Sequence, residues 1–159
     1  MLKVGREAPD FEAIADDGSA FKLSDRLRDG HVVLYFYPRD FTPGCIAEAC
    51  GFRDNHNAIT QQGAAIVGIS PDSQDSHRRF KEKYGVTFPL ISDPDRRVIS
   101  LYEADRGIGG LLTTRRVTYV IDRDGVIRGV YHHEIAIRRH HVNVVYALET
   151  INREERPDC

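Results

Sequence analysis

Apolar residues in this chain fall in short runs separated by turn chemistry, and two of those runs are continuous rather than alternating. Val32-Val33-Leu34-Tyr35-Phe36-Tyr37, closed by Pro38, contains no charged position. That is the pattern of a strand covered on both faces in a parallel or mixed sheet, and it is expected to be the central strand. Ala64-Ala65-Ile66-Val67-Gly68-Ile69-Ser70 repeats the pattern. The stretch between them, from about Thr42 to Gln62, reads as one helical segment, so the three form a βαβ unit with the usual right-handed crossover. Upstream, Phe11 to Leu23 reads as a hairpin, because Asp16-Asp17-Gly18-Ser19 is turn chemistry between two half-apolar runs. Downstream, His77, Phe80 and Tyr84 recur at helical spacing between Ser73 and Tyr84, and Gly85 stands where a helix C-cap is expected. Phe88 to Ile91 reads as a short strand. Val117 to Ile121 and Val126 to Tyr131 flank Asp122-Arg123-Asp124-Gly125, a second hairpin signal. Val144, Leu148 and Ile151, at i, i+4 and i+7, give a last helix from about Arg139 to Arg153 one apolar stripe. Gly107 to Thr114, with its Gly109-Gly110 pair, is expected to be a mobile loop.

This order of elements implies an α/β layer architecture, a central mixed sheet with helices on both faces. At 159 residues, one core and a single domain over residues 1–159 are expected. Hydrophobic residues at 41% and charged residues at 29% exclude the disordered and low-complexity classes. A net charge of -2 supplies no field for nucleic acid or an anionic membrane. No apolar run approaches the roughly 20 residues that span a bilayer. Residues 1–10 lack the apolar stretch and small-residue cleavage site of a secretory signal, so a cytoplasmic location is expected. The three cysteines, at 45, 50 and 159, are an odd number that forms no fully paired framework. In a reducing compartment such residues are reactive or buried rather than stapled.

The chemistry concentrates in Pro38-Arg39-Asp40-Phe41-Thr42-Pro43-Gly44-Cys45-Ile46-Ala47-Glu48-Ala49-Cys50, which joins the end of the expected central strand to the first turn of a helix. Sites in open α/β sheets form outside the carboxyl ends of strands, and a thiol at a helix N-terminus meets unpaired N–H groups and the positive end of the dipole. A thiol of ordinary pKa is only about 3% thiolate at pH 7, so this placement with a cation nearby would make Cys45 a nucleophile. A packed, inert cysteine is the other reading of the same position.

Pro38-x-x-x-Thr42-x-x-Cys45 resembles the active-site motif of the peroxiredoxins, thiol peroxidases built on a thioredoxin-like fold. Thr42-Pro43-Gly44-Cys45 followed by Glu48-Ala49-Cys50-Gly51-Phe52-Arg53-Asp54 is similar in particular to the bacterioferritin-comigratory, or Q-type, branch. The likeness continues through Val67-Gly68-Ile69-Ser70-Pro71-Asp72, Phe88-Pro89-Leu90-Ile91-Ser92-Asp93 and Arg116-Val117-Thr118-Tyr119-Val120-Ile121-Asp122, and so covers nearly the whole chain. The resemblance implies that Cys45 attacks a peroxide oxygen and becomes a sulfenic acid. It implies that Thr42 hydrogen-bonds the peroxide, that Pro38 shields the thiolate, and that Arg116 lowers the thiol pKa and steadies the charge on the leaving oxygen. Glu48, one turn after Cys45, is placed to pair with that arginine. Each also has a local structural reading: Thr42 as an N-cap, Pro43 at N1, Glu48 as a capping carboxylate and Arg116 as a solvated charge. Ile46 departs from the small polar residue usual after the cysteine, which leaves the choice among hydroperoxides open.

In this branch the position of Cys50 implies that it resolves the sulfenic acid as an intramolecular disulfide. Five helical residues rise about 7.5 Å, and a disulfide needs Cα atoms nearer than about 7 Å, so the first turns of the helix would have to unwind. The implied enzyme is a thiol-dependent peroxidase of hydrogen peroxide and organic hydroperoxides, recycled by a thioredoxin-like reductant. It needs no metal, haem or flavin, and is expected to act as a monomer. A one-cysteine peroxidase using external thiols, and a peroxide sensor or redox-switched holdase, remain open. Cys159, in the polar tail, reads as incidental. His132-His133 and His140-His141 lack the i, i+4 spacing of a helical metal site and read as solvated or strand-end residues.

Overall fold

The structure, a computed structural model, describes residues 1–108, 111–132 and 140–155. Along the chain its elements are β1 (Glu12–Ala15), β2 (Ala20–Lys22), α1 (Leu23–Leu27), β3 (His31–Phe36), α2 (Pro43–Asp54), α3 (His56–Gln61), β4 (Ala64–Ser70), α4 (Gln74–Tyr84), β5 (Leu90–Ser92), α5 (Arg97–Leu101), β6 (Asp105–Ile108), β7 (Leu111–Thr114), β8 (Val117–Ile121), β9 (Ile127–His132) and α6 (His140–Glu155). A seven-stranded sheet has the order β2-β1-β5-β4-β3-β8-β9. β3 pairs parallel with β4, and β4 with β5, while the outer pairs are antiparallel. The sheet is therefore mixed, with its parallel part inside, where both faces are covered. β4 occupies the middle of the order, and β3, expected there, is its neighbour.

All six residues of β3 are buried, and their alternation feeds two cores. Val32, Leu34 and Phe36 join Leu2, Phe11, Val98, Ile99, Tyr102, Val117, Tyr119 and Ile121 on one face, under the N-terminal segment and α5. Val33, Tyr35 and Tyr37 join Cys45, Phe52, Ile59, Phe80, Val144, Leu148 and Ile151 on the other, under α2, α3, α4 and α6. Helices cover both faces, as the order of elements requires. Cys45 is thus part of a core and not a surface residue.

The α4 boundaries follow from its caps. Ser73 Oγ accepts from the Ser76 N–H, and Gly85 ends the helix in the left-handed region at φ 64°. The single helix expected over 42–62 is instead two, broken at Asn55, whose side-chain Nδ2 donates to the Gly51 carbonyl at 2.8 Å and competes with the backbone ladder. The stretch expected as a mobile loop, 107–114, belongs to an antiparallel hairpin, β6 against β7, with Arg106 opposite Thr113; Gly109 and Gly110 lie outside the described residues. No helix of the described residues is long and apolar enough to cross a membrane.

Gly68 in β4 shows how tightly the sheet is packed beneath α2. A Cβ there would lie 2.8 Å from the Tyr35 ring and 2.8 Å from Leu90 Cδ2. Gly68→Ala should therefore lower stability by about 1–3 kcal/mol through overpacking, measured by urea unfolding. Gly107→Ala, where a Cβ meets nothing within 4 Å, should stay within about 0.5 kcal/mol of the parent. Equal midpoints for the two variants would contradict the packing described.

Candidate active site

β3 ends at Phe36, and the chain turns through residues 37–42 into α2 at the carboxyl end of the parallel strands. Thr42 is the N-cap of α2 at φ -82° and ψ 146°, with Pro43 in the first turn, where the missing N–H costs nothing. The Thr42 hydroxyl does not cap the helix; it donates to the Arg39 carbonyl at 3.0 Å. Cys45 sits in the first turn and is only 2% exposed. Pro38 is half-buried immediately after the strand.

The pairing of β3 with β8 brings a cation to this thiol. Phe36 lies opposite Val117, so Arg116, the residue before β8, arrives at the end of β3 where α2 begins. Its NH1 is 3.1 Å from Cys45 Sγ and 3.4 Å from Glu48 Oε2. Glu48 lies one turn after Cys45 and is 1% exposed at its side chain, while Arg116 is 14% exposed. Arg115 points elsewhere: its Nε donates to the Asp105 carbonyl at 3.1 Å and its N–H to the Ala104 carbonyl. The structure thus brings together Thr42, Cys45, Glu48 and Arg116, and places Pro38 at the edge of the same loop.

The Arg116 charge pulls the thiol in the expected direction, but burial opposes it. Burial pushes the Cys45 thiol above its ordinary pKa, outweighing the Thr42 side chain, the Arg39 main chain and the Arg116 charge, all of which pull it down; Glu48 adds to the upward push. An acidified thiol was expected from the helix end and the arginine, but desolvation at 2% exposure wins. The Thr42 hydroxyl has one proton, so it cannot serve the Arg39 carbonyl and the sulfur at once. Glu48 is likewise pushed up by burial, to about 7, against the pull of Arg116.

Cys50 is half-buried further along α2, and both thiols are free. Cys159 and His133 lie outside the described residues. His132 closes β9, His140 opens α6, and His141 packs its ring against Gly51, with Nδ1 3.1 Å from where a Cβ would stand.

The sequence reading missed a buried polar network beside this loop. Asp40 accepts from Tyr37 Oη at 2.7 Å and from Ser76 Oγ at 2.9 Å, and its Oδ2 is 2.7 Å from His77 Nδ1. The Asp40 N–H donates to Asp72 Oδ2, which also accepts from Ser70 Oγ. Potential ligand atoms of Asp40, Asp72 and His77 lie within 4.8 Å of one another. His77 Nε2 faces the Ile91 carbonyl at 3.0 Å, so neither ring nitrogen is free for a metal without breaking a contact. Spacing alone marks His77 as a core residue; only the fold shows that Asp40 reaches it. A cavity of about 520 Å³ lined by Arg39, Asp40, Phe41, Thr42, Asp72, Ser76 and Arg79 opens beside the loop. A larger one of about 640 Å³, between Gln61, Gly63, Arg123 and Asn152, is lined by none of the residues around Cys45.

The raised Glu48 fixes the sign of a pH effect. Between the unfolded value of 4.5 and about 7, folded Glu48 holds a proton that the unfolded chain has released, so its contribution to stability falls as pH rises through that window. Glu48→Gln should remove this dependence. The variant's urea midpoint, compared with that of the parent from pH 5 to 8, should gain on the parent as pH rises. A constant difference across the range would show that Glu48 ionises normally.

The AhpC/TSA family pattern matches residues 4–130 of the chain. The peroxiredoxin Bcp of Bacillus subtilis (strain 168) is 40% identical over 128 residues, covering 78% of this chain and 81% of that protein. The chloroplastic peroxiredoxin Q of Oryza sativa subsp. japonica is 37% identical over 147 residues, covering 92% of this chain and 67% of that one. Among solved structures, the peroxidoxin BcpB of Mycobacterium tuberculosis superposes with a TM-score of 0.89 at 36% identity, over 95% of this chain and 99% of that one. The thioredoxin-like fold implied by the motifs is the fold these neighbours share.

Proposed function

The chain belongs to the AhpC/TSA family and is a peroxidase of the peroxiredoxin Bcp and Q type; from that premise we propose that Cys45 is the thiol that attacks the peroxide and that Arg116, Thr42, Glu48 and Pro38 form its surroundings. The observation that carries this reading is the Arg116 guanidinium, 3.1 Å from the Cys45 sulfur and 3.4 Å from Glu48 in a nearly closed site. Sulfur attacks the distal oxygen of the hydroperoxide, an S–O bond forms as the O–O bond breaks, and the alcohol or water leaves with a proton. Negative charge moves from sulfur to the leaving oxygen along this path, and a planar cation can touch both ends of it. Burial already disfavours the thiolate, so each donor at the sulfur counts for more than it would in water.

Cys50 is the proposed resolving residue: its thiolate attacks the Cys45 sulfenic acid, an S–S bond forms and water leaves. A thioredoxin-like dithiol then reduces the disulfide by two exchange steps. The support is positional. Both thiols lie on α2, one buried and one half-buried, and the helix has to open for them to meet. A solved Xanthomonas campestris neighbour, at 28% identity and a TM-score of 0.81, is described by its alkyl peroxide reduction activity, which supports organic hydroperoxides as substrates here as well.

Cys45→Ser should abolish hydroperoxide consumption. Cys50→Ser should keep the first oxidation but lose the monomeric disulfide that one equivalent of peroxide forms in the parent, read by intact mass and non-reducing gel. Arg116→Lys should lower the stopped-flow oxidation rate constant by at least about tenfold, roughly 1.4 kcal/mol of transition-state stabilisation, whereas Arg115→Ala should not. Retention of peroxide consumption by Cys45→Ser would overturn the assignment.

A further inference from the structure

Two of the groups beside the Cys45 sulfur, the Arg39 main chain and the Thr42 side chain, belong to the short turn between β3 and α2. That turn contains a backbone conformation that does not hold itself. Phe41 stands at φ 63°, in the left-handed region, while its ring is 40% exposed and touches the rings of Phe80 and Tyr84 edge-on or tilted. A residue with a Cβ pays on the order of 1–2 kcal/mol there and stays only where its surroundings over-determine it. Asp40, the residue before it, is what is over-determined. At 3% exposure its carboxylate receives Tyr37 Oη, Ser76 Oγ and His77 Nδ1, and its own N–H is taken by Asp72. His77 is in turn held from behind by the Ile91 carbonyl of β5. Ser76 and His77 are in the first turns of α4, itself fixed by the Ser73 cap. The end of β3, through Tyr37, and α4, through Ser76 and His77, thus meet on the Asp40 side chain, while Asp72 holds its main chain.

We propose that the buried Asp40–His77 pair is a positioning element of the active site, clamping the strand-to-helix turn onto α4 so that the Arg39 main chain and the Thr42 side chain keep their places beside Cys45. The inference rests on the reading of Cys45 as the peroxide-attacking thiol. Asp40 and His77 bond to Tyr37, Ser76, Asp72 and the Ile91 carbonyl rather than to that sulfur; they act through the turn. Placement errors of about 1 Å in groups that hold a reacting atom are worth up to about a hundredfold in rate. Here the consequence is amplified, because the thiol is already pushed toward its neutral form and loses two of the groups that oppose that push.

The test uses the full chain and two readouts, the stopped-flow rate of oxidation by hydrogen peroxide and the thiolate absorbance titration of Cys45 in a Cys50→Ser, Cys159→Ser background. Asp40→Asn should lower the rate constant by about tenfold or more and move the titration to higher pH. His77→Leu should do the same, and His77→Gln, which restores an N–H toward Asp40, should recover most of both. Val98→Ala, which opens the opposite core under α5, serves as the control for lost stability and should leave rate and titration unchanged in the folded protein. If Asp40→Asn does not fold, the two His77 variants decide on the same readouts. Parent-like rate and titration in folded Asp40→Asn and His77→Leu overturn the clamp, as does an equal effect of Val98→Ala. Peroxide consumption by Cys45→Ser would instead overturn the reading of Cys45, so the two failures are told apart.

Discussion

The antiparallel register between β3 and β8 determines where the chemistry of this protein can sit. With Phe36 opposite Val117, the residue before β8 meets the residue after β3, and an arginine 71 positions along the chain from Cys45 reaches its sulfur. A slip of one residue would send alternate side chains to the other face of the sheet, turning Tyr119 and Val117 out of one core and Val120 out of the other. The register is therefore fixed by apolar packing on both faces, and the arginine's position is a by-product of that packing. This separates the cost of holding the site from the cost of the site itself: the core residues bear the constraint, and the polar residues use it.

What the arginine meets is a buried pair of acids that compete for it. Cys45 and Glu48 are both pushed toward their neutral forms by burial, and each is pulled back by the same guanidinium. When Glu48 keeps its proton, the whole of the Arg116 charge is available to the sulfur; when Glu48 loses it, the carboxylate adds a like charge beside the thiolate. With Glu48 near 7, the two states exchange around neutral pH, and the carboxyl acts on the thiol through the cation they share.

Local rules in the sequence carried much of this fold because they carry their own punctuation. Ser73 and Gly85 bracket α4, Asp122 to Gly125 turn β8 into β9, and the unbroken apolar runs at β3 and β4 require covered faces. The break at Asn55 was not legible, since the amide's bond to Gly51 is one option among several for that side chain. The β6–β7 pairing was not legible, because the Gly109-Gly110 pair in the sequence reads as loop chemistry. The choice of Arg116 over Arg115 came from resemblance, because neither residue lies within β8 and alternation cannot order them. Asp40 and His77 are 37 positions apart; a helical spacing places His77 in the core, and nothing local says what it meets there.

Helix α2 lacks a side-chain cap at its start, which bears on the proposed opening that lets Cys50 reach Cys45. The Thr42 hydroxyl bonds to Arg39 rather than to a helix amide, the first turn has no acidic residue, and the helix stops at Asn55 after 12 residues. Gly51 lies within it, costing about 1 kcal/mol relative to alanine in a helix interior. Its firm anchor is Phe52, whose ring packs 4.8 Å from Tyr35 and edge-on to Phe88. The Phe52 end is thus docked on the sheet, and the proposed opening would start at the uncapped first turn and would have to lift Cys45 and Ala49 out of the core. The proposed clamp on Asp40 lies on the other side of that segment, so both cysteines stand between the two points at which the chain is packed, Asp40 and Phe52.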